Sequence, residues 1–385
     1  MSPMPLTFPD FDETELGRLR RCLESRWVTQ GPLTREFEEL VAKRHGLSHA
    51  LATTSCTAAL HLAVLALELG PGDEVVVPAF TWVTSAHCAE YVGARAVFAD
   101  VDPTTHNLAP EAFEAAITPR TRAVVAVHLF GLAAEMDAIL AIAQRRSLAV
   151  IEDAACAIGS SYQGRPVGGL GDVGCFSFHP RKIITTGEGG MVTTDREDLA
   201  ERVRSLRNHG ASPPGPAQGP PGKPYTMAAF DRLGFNLRMS DIQAAVGVAQ
   251  MSKLDRLLTH RRACAALYGH HLSSLEEFDL PPQPEEAPGH TYQSYVIRLR
   301  TGNRAERNRI MEHLSDQGIE TRPGTHAVHR LGYYVQKYQL KSEQFPNAVR
   351  SEDATITLPL FPGMREADQE RVVTALRDSL TTRSG

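Results

Sequence analysis

Between about residues 33 and 200, short apolar runs alternate with amphipathic stretches, and few folds satisfy that alternation. The runs "DEVVVPAF" (73–80), "ARAVFADVD" (94–102), "RAVVAVHLFG" (122–131) and "LAVIEDAA" (148–155) are valine-rich, bounded by turns, and read as buried strands. Between them, "TAALHLAVLALELG", "SAHCAEYVG", "APEAFEAAI" and "AAEMDAILAIAQRRS" space their apolar residues as helices do. Strand and helix in alternation predict an α/β fold, a mostly parallel sheet sandwiched by helices. Ligands of such sheets bind beyond the carboxyl ends of the strands, so the residues just after each strand carry the functional information.

The chain of 385 residues is longer than one core usually accommodates. We expect a large domain over 1–255, including the N-terminal segment, and a smaller C-terminal α+β domain over 256–385. A proline- and glycine-rich loop spans 209–225. After it, "MSDIQAAVGVAQMSKLDRLLTHRRACAALYGHHL" reads as one long helix, with Ser240 and Gln243 at capping-box spacing. "TYQSYVIRLR" reads as an alternating, half-buried strand, and "RAERNRIMEHLSDQG" as a helix of the smaller domain. At 42% apolar and 22% charged residues the composition is that of a soluble globular protein. A net charge of −5 argues against a nucleic-acid partner, which requires a basic face. The acidic, proline-containing N-terminus is no signal peptide, and the most apolar helical stretch is too short to span a bilayer. The expectation is a cytoplasmic protein with no membrane partner. The six cysteines form no CxxC pair and have no histidine at zinc-finger spacing, so isolated reduced thiols and no structural metal are expected.

Four segments stand just after a strand or at a helix start. "TTSCTAAL" (53–60) opens a helix whose free N–H groups suit an anion such as a phosphate, although a serine N-cap alone would look the same. "VIEDAACAIG" puts Asp153 at a strand end, where a buried carboxylate needs a cation; an ordinary helix cap is the plain alternative. "FSFHPRK" brings Ser177, His179 and Lys182 within one short reach. A lysine withdrawn from water favours the free amine, a nucleophile toward carbonyls, whereas a surface turn lysine has no such role. "GEGG" (187–190) reads only as a turn and lacks the spacing of a nucleotide-binding P-loop. Together, an anion site, an aspartate and an amine are the parts that hold pyridoxal phosphate. Trp82 in "AFTWVTSA" offers a flat face to its ring, although a half-buried core tryptophan would read the same.

The sequence also resembles the DegT/DnrJ/EryC1/StrS family, the sugar aminotransferases of the fold type I pyridoxal-phosphate enzymes. The resemblance runs nearly end to end, through "WVTQGPLTREFEE" (27–39), "TTSCTAALHLAVLALELGPGDEVVVPAFTWV", "VIEDAACAIGSSYQGRPVGGLGDVGCFSFHPRKIITTGEGGMV", "LRNHG" (206–210), "LGFNLRMSDIQAAVG" (233–247), "TYQSYVIRL" and "FPNA…TLPLFPGM". It implies that Lys182 is the catalytic lysine that links the cofactor, and that Asp153 partners the pyridine nitrogen. Trp82 becomes the stacking residue, and the Cys56–Thr57 turn and Ser177 become phosphate ligands. Asn236 is expected to reach the phosphate of the neighbouring subunit in a homodimer with shared sites. Thr29, His179 and His326 are expected to line the substrate pocket. Two positions depart from the family's pattern. Cys56 replaces the glycine of a Ser-Gly-Thr turn, which requires an allowed backbone there. Cys156 stands where Gln or His touches the cofactor's phenolic oxygen, and a thiol is a weak donor. The implied activity is transfer of an amino group from an amino acid, with L-glutamate the expected donor, to a keto-sugar, expected to be nucleotide-linked. The alternatives are a cyclitol ketone aminated from glutamine, or a dehydratase of the same family. Lys182 argues against those dehydratases that carry histidine at its position.

Overall fold

In the computed structural model, which describes residues 3–213 and 223–381, the valine-rich runs form one sheet. Its strands are β1 (His49–Thr53), β2 (Glu74–Pro78), β3 (Arg95–Ala99), β4 (Thr121–Val127), β5 (Ala149–Asp153), β6 (Val173–Ser177) and β7 (Gly190–Thr194). They lie in the order β1-β7-β6-β5-β4-β2-β3. Six run parallel; β7 alone is antiparallel to both its neighbours, pairing Thr53 with Gly190 on one side and Gly190 with Ser177 on the other. The α/β expectation holds, with the sheet buried on both faces.

Alternation within each strand divides the core. Val75 and Val77 of β2, with Val125 and Val127 of β4, pack against helices α3 (Cys56–Ala66), α4 (Thr84–Tyr91) and α7 (Glu197–Leu206). Val76 and Val124 point the other way, onto α5 (Pro110–Ala116) and α6 (Met136–Arg146). Phe176 of β6 meets α2 (Pro32–His45) and α8 (Asp241–Leu272) through Phe37, Val41 and Val248. Ser240 and Gln243 do form the capping box that starts α8.

Two readings are corrected. The run 73–80 is not one strand. Pro78 cannot donate to a ladder, and beyond it Phe80–Thr81 leaves the sheet to pair with His326–Ala327. The strand within "TYQSYVIRLR", Tyr295–Leu299, is buried throughout rather than half-buried. Tyr295, Ile297 and Leu299 face one core while Val296 joins the core of the large sheet, and Arg298 is neutralised by Asp279 at 2.7 Å.

A second core surrounds the three-stranded antiparallel sheet of Phe278–Asp279, Tyr295–Leu299 and Thr355–Leu358. Helix α8 joins the two cores: Leu254, Leu257 and Leu258 belong to the first, and Cys264, Tyr268 and Leu272 to the second. Met4, near the start of the chain, also packs in the second core and pairs with Ile319. Residues 214–222, the middle of the proline-rich loop, lie outside the described residues.

Candidate active site

The direction of the strands decides what can meet. The carboxyl ends of β1, β4, β5 and β6 share one edge of the sheet, and antiparallel β7 begins at that same edge. There a cavity of about 240 Å³ opens, lined among others by Cys56, Thr57, Trp82, Asp153, Cys156 and Ser177, with His179 and Lys182 on the same wall.

Ser55 has extended backbone and caps α3, its hydroxyl accepting the Ala58 N–H at 3.1 Å. The Cys56 and Thr57 N–H groups, at the first two helical positions, have no intrahelical acceptor and carry the positive end of the helix dipole. Cys56 is an ordinary first helical residue without positive φ, so replacing the turn's glycine costs no backbone strain. What the turn does demand is Gly190. A Cβ there would lie 2.4 Å from the Ser55 carbonyl carbon and 2.6 Å from the Cys56 nitrogen. The last glycine of "GEGG", read in the sequence only as part of a turn, lets β7 lie against the anion-binding turn.

Asp153 ends β5 and is 3% exposed. Its Oδ2 accepts the Ser85 hydroxyl at 2.6 Å and its Oδ1 the Ala155 N–H at 3.2 Å. Because Ser85 gives its proton to the carboxylate, the 3.0 Å contact with Thr81 has the threonine donating. Among the described residues no lysine, arginine or histidine lies within ion-pair distance of Asp153. A buried carboxylate left without a cation is costly unless a ligand supplies one. Ser85 was missed in the sequence, and its only signal is its place three residues after Trp82.

The residues on the C-terminal side of Lys182 hold it in place. Ile183 and Ile184 are buried in the core, and Thr185 donates to the Phe178 carbonyl at 2.8 Å, so the turn after β6 is pinned on both sides. Gln243 of the α8 capping box donates to the Glu188 carbonyl at 2.7 Å, clamping the other arm. The Lys182 amine projects into the cavity, where its Nζ lies 3.1 Å from Cys156 Sγ. The other thiols of this region are inert. Burial, with Asp153 nearby, pushes Cys56 and Cys175 well up and Cys88 to about 12. His179 accepts the Arg181 N–H at Nδ1 (3.2 Å), and burial lowers its affinity for a proton, as do the charges of Arg181, Lys182 and Arg322.

Trp82 is 49% exposed at the cavity wall, its ring 5.6 Å from that of His326. His326 is fixed beside it by pairing with Thr81, outside the cavity lining. Thr29 and Asn236 are exposed and do not line their own chain's cavity. The Thr29 carbonyl accepts the Asp241 N–H at 3.3 Å, and Asn236 bridges to Asn208.

This apparatus, an open helix N-terminus, an unpaired carboxylate, a flat aromatic face and a pinned amine on one sheet edge, has counterparts among known proteins. The chain is 39% identical over 380 residues to GDP-perosamine synthase of Caulobacter vibrioides, covering 98% of this chain and 99% of the other. Its fold matches that of Spr1654 from Streptococcus pneumoniae in the PMP-form, with a TM-score of 0.93 at 26% identity over 98% of this chain and 99% of that one. It also matches DesI, solved in the presence of its TDP-sugar product, with a TM-score of 0.86 at 34% identity over 100% and 96%. The model of one family spans residues 9–377, and the chain belongs to it: the DegT/DnrJ/EryC1/StrS aminotransferase family.

Proposed function

We propose that the protein is a pyridoxal-phosphate-dependent sugar aminotransferase. It takes the amino group of an amino acid, L-glutamate being the expected donor, and gives it to the ketone of a nucleotide-linked sugar. The products are the 2-oxo acid of the donor and an amino sugar. One observation carries this reading: the buried Asp153 carboxylate has no cation of its own and shares a cavity with the pinned Lys182 amine and an open helix N-terminus. A protonated pyridine nitrogen would complete that unanswered charge, so the residues fit the cofactor.

When bound, the cofactor supplies a ring that withdraws electrons and so lets a proton leave the carbon beside the transferred nitrogen. Asp153, oriented by Ser85 and Ala155, holds the proton on the ring nitrogen. The Cys56 and Thr57 N–H groups and the Ser177 hydroxyl bind the phosphate. Trp82, at the cavity wall, would offer its flat face to the ring. The Lys182 amine carries the proton away from the donor carbon and returns one in the second half of the reaction. Thr29 and Asn236, exposed and outside the lining of their own cavity, serve the site of a second copy, so the working unit is a homodimer. The exposed side chains of Trp27, Val28 and Ile242 beside them are apolar area for that contact.

The test is direct. Holoprotein is mixed with glutamate and a panel of keto-sugar nucleotides and cyclitol ketones, and 2-oxoglutarate release is followed. Borohydride reduction and peptide mapping should place the cofactor on Lys182. Lys182→Ala should bind cofactor without turnover. Fixation on another lysine, or release only with cyclitol ketones, would overturn the corresponding part of the reading.

A further inference from the structure

The cavity wall beside Lys182 carries two guanidinium groups, and neither has an acid to answer it. Arg181 precedes the lysine, its carbonyl accepting from the Gln293 side chain at 2.9 Å. Arg322 comes from the far side, where its backbone bridges Thr357 beside the smaller sheet. Among the described residues neither guanidinium forms an ion pair, whereas Arg298, Arg300 and Arg330 each do. Both line the one cavity, Arg181 exposed and Arg322 half-buried, and burial, then the charge of Arg181, lowers the affinity of Arg322 for its proton. The charged residues of the wall are Arg181, Lys182 and Arg322 against Asp153 and Glu188, so a chain of net charge −5 turns a cationic surface inward here. Asp153 is committed at the cavity floor, and Glu188 lies 3.9 Å from His179. Two guanidiniums without an ion-pair partner on one cavity wall are placed to take the two ends of an anionic ligand.

Resting on the reading of the protein as an aminotransferase, we propose that Arg181 and Arg322 form a clamp for the two carboxylates of a dicarboxylic amino donor. Arg322 takes the carboxylate next to the reacting carbon, and Arg181 the distal one. The placement favours a donor over the diphosphate of the acceptor. Arg322 and Arg181 line the same cavity as Cys156, whose sulfur touches the Lys182 amine. A donor carboxylate sits one carbon from the transferred nitrogen, whereas a sugar's diphosphate is a whole ring away. A neutral side-chain amide, as in glutamine, leaves the second guanidinium unanswered, so the clamp selects the diacid.

The probe is glutarate, a diacid with no amino group to transfer, titrated calorimetrically into holoprotein alongside its monoamide and a nucleoside diphosphate. Glutarate should bind at least tenfold more tightly than the monoamide. Arg181→Leu should erase that difference while leaving monoamide binding unchanged. Arg322→Leu should weaken both at least tenfold, and Arg322→Lys should restore part of the loss, which also guards against a folding defect. In donor kinetics, Arg181→Leu should raise KM for glutamate alone, and Arg322→Leu should raise KM for glutamate and alanine, each with a smaller effect on kcat. Equal binding of diacid and monoamide by the wild type would overturn the clamp. So would loss of nucleoside diphosphate rather than glutarate affinity in the variants. If no amino acid converts the bound cofactor to its amine form, the aminotransferase reading itself fails. If glutamine and glutamate convert it equally well, only the clamp does.

Discussion

At the scale of single residues, the site consists of groups held in states that water would not favour. The Asp153 carboxylate keeps two neutral donors and, among the described residues, no cation, which leaves its charge for a ligand to answer. Replacing it with asparagine keeps the shape and removes the charge. Asp153→Asn should slow the half-reaction with glutamate by about 10²-fold or more, measured by stopped-flow absorbance on fully loaded protein. Near-normal rates would show that the carboxylate does not serve the ring nitrogen. Cys156 is the converse case. Its sulfur meets the Lys182 amine at 3.1 Å, but a thiol is a poor hydrogen-bond partner. Cys156→Gln should therefore leave turnover close to that of the wild type and should equal or exceed it in cofactor retention on gel filtration. Loss of activity in a folded, loaded variant would give the thiol a role.

At the scale of elements, the critical joint is between β7 and the turn that opens α3. Gly190→Ala would drive a methyl group into the Ser55–Cys56 backbone, which cannot rotate out of the way as a side chain could. The substitution should cost about 1–3 kcal/mol of stability by denaturant titration and weaken cofactor affinity in the same variant. An unchanged midpoint would mean that the two segments separate easily. This joint also marks the limit of what the sequence discloses. The strands and helices were legible because burial on both faces leaves valine-rich runs, and the 3.6-residue spacing marks the helices. Asp153, Ser177 and Lys182 were legible because each comes just after such a run. Gly190 and Ser85 were not, since their roles depend on how closely two distant segments approach, and local pattern carries no trace of that distance. Arg181 and Arg322 were hidden for the same reason: an arginine's meaning lies in the acid it lacks, which only the folded chain reveals. The break after Pro78 had a local sign, the missing N–H, but the partner strand at His326–Ala327 did not.

At the scale of the molecule, Thr29 and Asn236 are both surface residues, and the buried Asp241 carboxylate ties the segment after Thr29 to the start of α8, accepting from Gly31, Leu33 and Thr34. If that surface completes a neighbour's cavity, activity must be recoverable by exchange. Lys182→Ala and Asn236→Ala, each first shown to be nearly inactive, are refolded together. A mixed dimer then has one site with both groups intact, and activity should reappear in the mixture. Mixing that restores nothing, or a catalytically active monomer, would place Asn236 in its own subunit's site.

The reversed direction of β7 has a consequence for how the protein is made. Strand β1 is among the first segments to leave the ribosome, yet its only neighbour in the sheet is β7, with His49 opposite Thr194. Until that later strand exists, the anion-binding turn after β1 lacks the Gly190 backbone that packs against it, and the lysine hairpin between β6 and β7 is unformed. Closing so long a loop is slow, and its entropic cost is met before any contact rewards it. The binding site therefore cannot be complete before β7, the last strand of the large sheet in chain order. A chain cut short of β7 has every other strand of the large sheet but not the glycine behind the anion-binding turn, so the colour of bound cofactor should report that the sheet has been completed.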